Sequence, residues 1–207
     1  MTETAPPRSN LRTIRLLLWI LVAIGIAGTA ALLLFRSAPS HSDQPATAQA
    51  SFGGPFTLVG ADGKPFSSAK LLGKPAALYF GFTRCGDVCP TTLSRMVKLR
   101  NATGGEDKFN IVFITIDPAH DGPKDVGQYA TLFNSPIIGL TGSQAQIDAV
   151  KKQYGIYAQA QPNAPMGQQM AHSAIVLLMD RNGKFVTTIS PDEPDSDALA
   201  KLKSLVG

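Results

Sequence analysis

Ala76-Ala77-Leu78-Tyr79-Phe80-Gly81-Phe82-Thr83-Arg84-Cys85-Gly86-Asp87-Val88-Cys89-Pro90 is the stretch that decides how this chain folds. Its first seven residues are apolar or glycine without a break, the pattern of a strand buried on both faces of a sheet. Ile111-Val112-Phe113-Ile114-Thr115-Ile116 has the same character. Between the two runs, Leu93, Met96, Val97 and Arg100 recur at helical spacing within residues 91–100. Strand, helix and strand in that order make a parallel crossover unit.

Working outward, residues 123–133 open with proline, as helices often do, and Ser143 with Gln146 forms a capping box ahead of Ile147, Val150 and Tyr154 on one face. Leu199, Leu202 and Leu205 mark a last helix over residues 195–205. Ala61-Asp62-Gly63 joins residues 56–59 to Pro65-Phe66, and Asp180-Arg181-Asn182-Gly183 joins residues 173–179 to 184–189, both as hairpins. The expected class is α/β: a thioredoxin-like fold with a central, mostly parallel sheet, an antiparallel edge hairpin and flanking helices, preceded by one transmembrane helix. Residues 158–171 have no period and two prolines, and read as a long loop.

Residues 16–35 carry no charge, and at about 1.5 Å per residue they span roughly the 30 Å of a bilayer core. We expect an anchor here rather than a cleaved signal peptide, because the small-residue site Ala48-Gln49-Ala50 lies too far beyond the apolar run. Arg8, Arg12 and Arg15 precede the run and only Arg36 follows closely, so the N-terminus belongs in the cytoplasm and the remainder in the periplasm. The short lead favours a bacterial inner membrane over a mitochondrial one. The expected division is 1–15 cytoplasmic, 16–35 anchor, 36–51 linker and 52–207 the folded domain. Ala23, Ala27 and Ala31 form a row of small residues in the anchor, little above background among so many alanines.

Four arginines and one acid lie in residues 1–36, so most of the net charge of +4 belongs to the anchor's flank. The domain is close to neutral, which removes nucleic acid from its partners.

The only two cysteines, Cys85 and Cys89, stand where a buried strand passes into a helix, the end of an α/β sheet at which ligands gather. A structural disulfide across so short a loop contributes only about 2 kcal/mol. A catalytic dithiol normally has two residues between its cysteines, and here there are three. A metal site needs further donors, and His172 supplies one at the head of the apolar run 173–179. The helix N-terminus is expected to depress the Cys89 thiol and leave both sulfurs as thiolates. Two thiolates and an imidazole suit a copper ion, Cu(I) first and Cu(II) with a weak further ligand. Zinc requires Asp87, His120 or Asp121 to join. Met166 and Met170 are soft donors nearby, although loop methionines more often cover apolar surface. Oxidised, Cys85 and Cys89 are expected to close as a redox-active disulfide that excludes copper.

The run from Phe80 to Pro90, followed by Ile116-Asp117-Pro118, Gly139-Leu140-Thr141-Gly142 and His172-Ser173, resembles the Sco/SenC copper chaperones. The resemblance implies a thioredoxin-like fold with Cys85, Cys89 and His172 as copper ligands. It further implies assembly of a cytochrome oxidase copper centre, by delivering copper or by reducing the client's cysteines. The implied partners are the copper-bearing subunit of the oxidase and other periplasmic copper chaperones. Gly86 stands where the family usually has proline, His120 and Gly122 replace arginine and threonine, and Ala171 replaces an aspartate. A membrane-tethered thiol–disulfide oxidoreductase is the alternative, and it has no evident need of His172. A peroxidase of thioredoxin fold is the least supported reading.

Overall fold

The computed structural model describes residues 15–26, 28, 52–161, 163 and 170–207. The chain divides into two units, residues 1–48 and 49–207. In the first, residues 15–26 are helical and expose Leu16, Leu17, Leu18 and Trp19. Among the described residues no helix is long and apolar enough to cross a membrane. Residue 28 apart, the remainder of the expected span, with Ala27 and Ala31, and the linker up to residue 51 lie outside the described residues.

The second unit is built on a seven-stranded sheet. Its strands are β1 (Thr57–Gly60), β2 (Pro65–Ser67), β3 (Ala76–Gly81), β4 (Asn110–Thr115), β5 (Ile138–Thr141), β8 (Val176–Met179) and β9 (Phe185–Ile189), in the spatial order β2-β1-β5-β4-β3-β8-β9. The helices are α1 (Val88–Ala102), α2 (Pro123–Thr131), α3 (Gln144–Gln153) and α4 (Asp195–Val206). Side chains alternate across the central strands. On one face Phe113 packs against Tyr129 of α2, with ring centroids 5.0 Å apart. Gly81 lies on the same face, turned toward Cys89 of α1. On the opposite face Phe80 meets Tyr154 at the end of α3, at 6.0 Å. Every residue of β3 and β8 is buried, as their apolar runs require.

The capping box of Ser143 and Gln146 opens α3 as its sequence predicts. Helix α1 is held against the start of α4 by Arg95, which binds Asp195 at 2.8 Å and donates to the carbonyls of Ser190, Pro191 and Glu193. Lys98 adds a second bond to Asp195. This fastening fixes the helix whose first turn carries Cys89.

Two expectations are corrected. The sheet is mixed and not mostly parallel: β3–β4 and β4–β5 are parallel, whereas β1–β2, β1–β5, β3–β8 and β8–β9 are antiparallel. Strands β2, β3, β4, β5 and β9 share one direction and β1 and β8 run the other way, and an apolar run does not reveal which way its strand points. The second correction concerns residues 158–171. Their ends pair as an antiparallel ribbon of β6 (Ala158–Ala160) and β7 (Met170–His172), with Ala158 opposite His172. His172 therefore closes a ribbon strand and does not open β8. The backbone of Ser173 continues the ribbon by donating to the Tyr157 carbonyl at 3.0 Å, and β8 begins three residues later at Val176.

Candidate metal centre

The loop leaving β3 is pinned from below before it reaches the first cysteine. The fully buried carboxylate of Asp121 accepts the Thr83 N–H at 2.9 Å, the Thr83 hydroxyl at 2.5 Å and the Thr115 hydroxyl at 2.6 Å. Arg84 pairs with Asp117 at 2.6 Å, and His120 Nδ1 lies 2.9 Å from the same carboxylate. Helix α1 begins at Val88, three residues earlier than its spacing predicts, which places Cys89 in the first turn. Cys89 N–H donates to Cys85 Sγ at 3.3 Å, so the helix N-terminus serves Cys85.

From the other side the β6–β7 ribbon brings in His172. Its Nε2 lies 3.6 Å from Cys89 Sγ, and its Nδ1 lies 3.1 Å from the Ser173 carbonyl. A proton on Nδ1 donating to that carbonyl leaves the Nε2 lone pair facing the sulfurs. Tyr79 and Phe82 hold the imidazole edge-on, with centroids 6.2 and 6.0 Å from it. The donor atoms of Cys85, Cys89 and His172 all fall within 4.8 Å of one another. They sit beside an open cleft of about 600 Å³ lined by Phe82, Gly86, Val88 and Met170 as well as by Cys85 and His172.

Glycine at position 81 makes room for this arrangement. A Cβ there would stand 2.8 Å from Cys89 Sγ, 3.1 Å from the Phe113 ring and 3.2 Å from the Tyr79 ring. A lone glycine inside a strand is a sign of such close approach.

The two thiols are free and unlike. The side-chain hydrogen bond with Cys89, joined by the backbone N–H groups of Cys89 and Asp87, holds the partly exposed Cys85 thiol at about 4. Cys89 moves the opposite way: its hydrogen bond to the Cys85 sulfur and its complete burial push it far up. The expectation of a depressed Cys89 and two thiolates is thus corrected. One proton stays on the buried sulfur, because burial disfavours its charged form and the helix N–H is spent on its neighbour. Iodoacetamide at about pH 6 is accordingly expected to alkylate Cys85 in the folded, reduced protein and to spare Cys89. Peptide mass mapping checks this, and equal labelling would contradict it.

Of the residues that zinc would need, none joins the cluster. Asp87 accepts the Thr91 hydroxyl at 3.3 Å, His120 is turned to Asp117, and Asp121 is enclosed by the threonines. Met170 lines the cleft, whereas Met166 lies outside the described residues. Two sulfurs and one imidazole nitrogen remain, a soft and incomplete set that suits a metal accepting three ligands.

Residues 44–207 match the SCO1/SenC family model. Protein SCO2, mitochondrial, of Saccharomyces cerevisiae is 34% identical over 158 residues, which are 74% of this chain and 52% of that protein. The chain thus spans about half the length of the mitochondrial yeast relatives it matches. A solved structure of Bradyrhizobium japonicum ScoI with copper bound superimposes with a TM-score of 0.67 at 37% identity, covering 75% of this chain and 99% of that one. BsSco is described as a member of the Sco family of cytochrome c oxidase assembly proteins, with a disulfide switch. It superimposes at 0.57 with 27% identity, covering 75% of this chain and 94% of its own. With the dithiol loop and the histidine ribbon meeting inside the matched region, this chain belongs to the SCO1/SenC family.

Proposed function

We propose that this chain is a copper-binding assembly factor for a cytochrome oxidase copper centre, holding one copper ion through Cys85, Cys89 and His172. The convergence of three soft and borderline donors within 4.8 Å carries this reading. Copper-bound ScoI and the oxidase-assembly family of BsSco support it. The ion is cargo and no reaction is turned over, so the chain is a metallochaperone and not an enzyme. Residues 16–35 serve as a single-pass anchor in a bacterial inner membrane, with the arginines before them in the cytoplasm and the domain in the periplasm. The partners are the copper-bearing subunit of the oxidase and other periplasmic copper chaperones.

A second reading has its own observation in favour. A partly exposed Cys85 thiolate beside a buried Cys89 thiol is the arrangement of an attacking and a resolving sulfur, which suits reduction of a client's cysteines. His172 separates the two readings, since exchange does not require it.

The test is anaerobic reconstitution of the reduced, full-length protein, with one tightly held copper per chain expected and none overturning the proposal. The thiols also set a pH dependence. Above about 4 the metal-free pair keeps a single proton, on Cys89, and copper must displace it. Each ion should therefore release one proton from the dithiol, and Cu(I) affinity should rise about tenfold per pH unit between about pH 7.5 and 9. Competition titrations at three pH values read the slope. A flat profile would mean that both sulfurs are already ionised.

A further inference from the structure

Beneath the dithiol lies a phenol that the three-ligand site leaves unused. Tyr79 has no exposed surface, and its hydroxyl is buried without a hydrogen-bond partner. Its backbone is fixed in the middle of the sheet, with Phe113 on one side and Val176 on the other. The ring cannot swing away to find a better position. It shares with Cys89 Sγ the small space over Gly81, where one added Cβ would touch both, and it lies edge-on to His172 at 6.2 Å. Tyr79 thus borders two of the three ligands and contributes a free O–H to the site's inner wall.

A thiol is a weak acceptor, whereas a metal-bound thiolate is a strong one. The neighbours of the hydroxyl are the Cys89 sulfur and the side chain of Thr92, and the sulfur becomes a strong partner once the site is loaded. We propose that Tyr79 is a positioning residue for copper, its hydroxyl donating to the Cys89 sulfur in the loaded protein and so drawing electron density from the metal–sulfur bond. The inference rests on the copper reading above. Hydrogen bonds to a ligating sulfur tune such sites, and losing an outer partner typically lowers metal affinity about ten- to a hundredfold.

Tyr79→Phe keeps the ring and removes only the oxygen. In the full-length protein it is expected to weaken Cu(I) binding about tenfold in competition titrations. It should also move the sulfur-to-Cu(II) charge-transfer band to lower energy, which lost packing alone would not do. Fluorotyrosine at position 79, a stronger donor that retains the hydroxyl, should move the band the other way and guards against misfolding of the phenylalanine variant. Tyr129→Phe is the control: that hydroxyl is also buried and unpartnered, but its ring lies against Phe113 and Phe133. A Tyr79→Phe protein with wild-type affinity and an unmoved band overturns the proposal, as does an equal shift in Tyr129→Phe. If the wild type takes no copper, the functional reading falls with it; if the wild type binds and Tyr79→Phe is identical, only the tyrosine's role falls.

Discussion

His172→Ala is expected to lower Cu(I) affinity more than a hundredfold while leaving the metal-free protein folded. Loss of a mere outer partner costs about ten- to a hundredfold, and His172 is a donor in its own right. Without it the dithiol has no nitrogen donor near at hand, since His120 is turned to Asp117, and of the other soft donors only Met170 lines the cleft beside Cys85. The structural role of the histidine is small by comparison. It is only partly buried, its strand is three residues long, and the ribbon is joined through the backbone, which alanine leaves intact. Competition titration and a thermal melt of the metal-free protein separate the two effects. Unaltered binding of both Cu(I) and Cu(II) would show that the three-ligand site is wrong.

Gly81→Ala should damage the site from the other side. The new methyl carbon would be 2.8 Å from Cys89 Sγ, closer than two such atoms can stand. Phe113 and Tyr79 close off the remaining room, and both belong to central strands that are hydrogen-bonded on each edge. The sulfur, or the whole first turn of α1, must then give way. We expect at least a tenfold loss of copper affinity, together with about 1–3 kcal/mol of destabilisation from overpacking. Denaturant melts of the metal-free protein measure the second quantity. An alanine variant with wild-type stability and affinity would mean that α1 has slack that the packing does not suggest.

The central strands and the ligands were legible in the sequence because each is marked by composition. Residues 76–82 and 111–116 are apolar without a break, and a chain with only two cysteines leaves little choice of sulfur. What could not be read depends on phase and partner. The spacing of Leu93, Met96, Val97 and Arg100 sets the start of α1 at Thr91, yet Pro90 is already inside the first turn, where its missing N–H costs nothing. That shift of three residues brings Cys89 into the buried turn and leaves Cys85 outside it. The unequal thiols follow from it. Strands β6 and β7 escaped notice because Ala-Gln-Ala and Met-Ala-His show no sheet-like alternation of burial, and their pairing is made by the backbone. The mixed sheet was hidden for a different reason: burial on both faces gives β8 the same apolar run whichever way it points. Gly81 did carry a signal, as the one small residue between Phe80 and Phe82, but what it makes room for became visible only with α1 in place.

The ribbon that delivers His172 also changes what the unfolded chain can do with a metal. Cys85 and Cys89 are neighbours in any conformation, so a denatured chain still offers them as a chelating pair. His172 is 83 residues from Cys89 and meets it only through the fold. Copper therefore has two ligands on the unfolded chain and three on the native one, and its contribution to thermal stability is the worth of the third. The rise in melting temperature on loading becomes a measure of one imidazole, and a His172→Ala protein, however much copper its thiols retain, should melt at nearly the same temperature with the ion as without it.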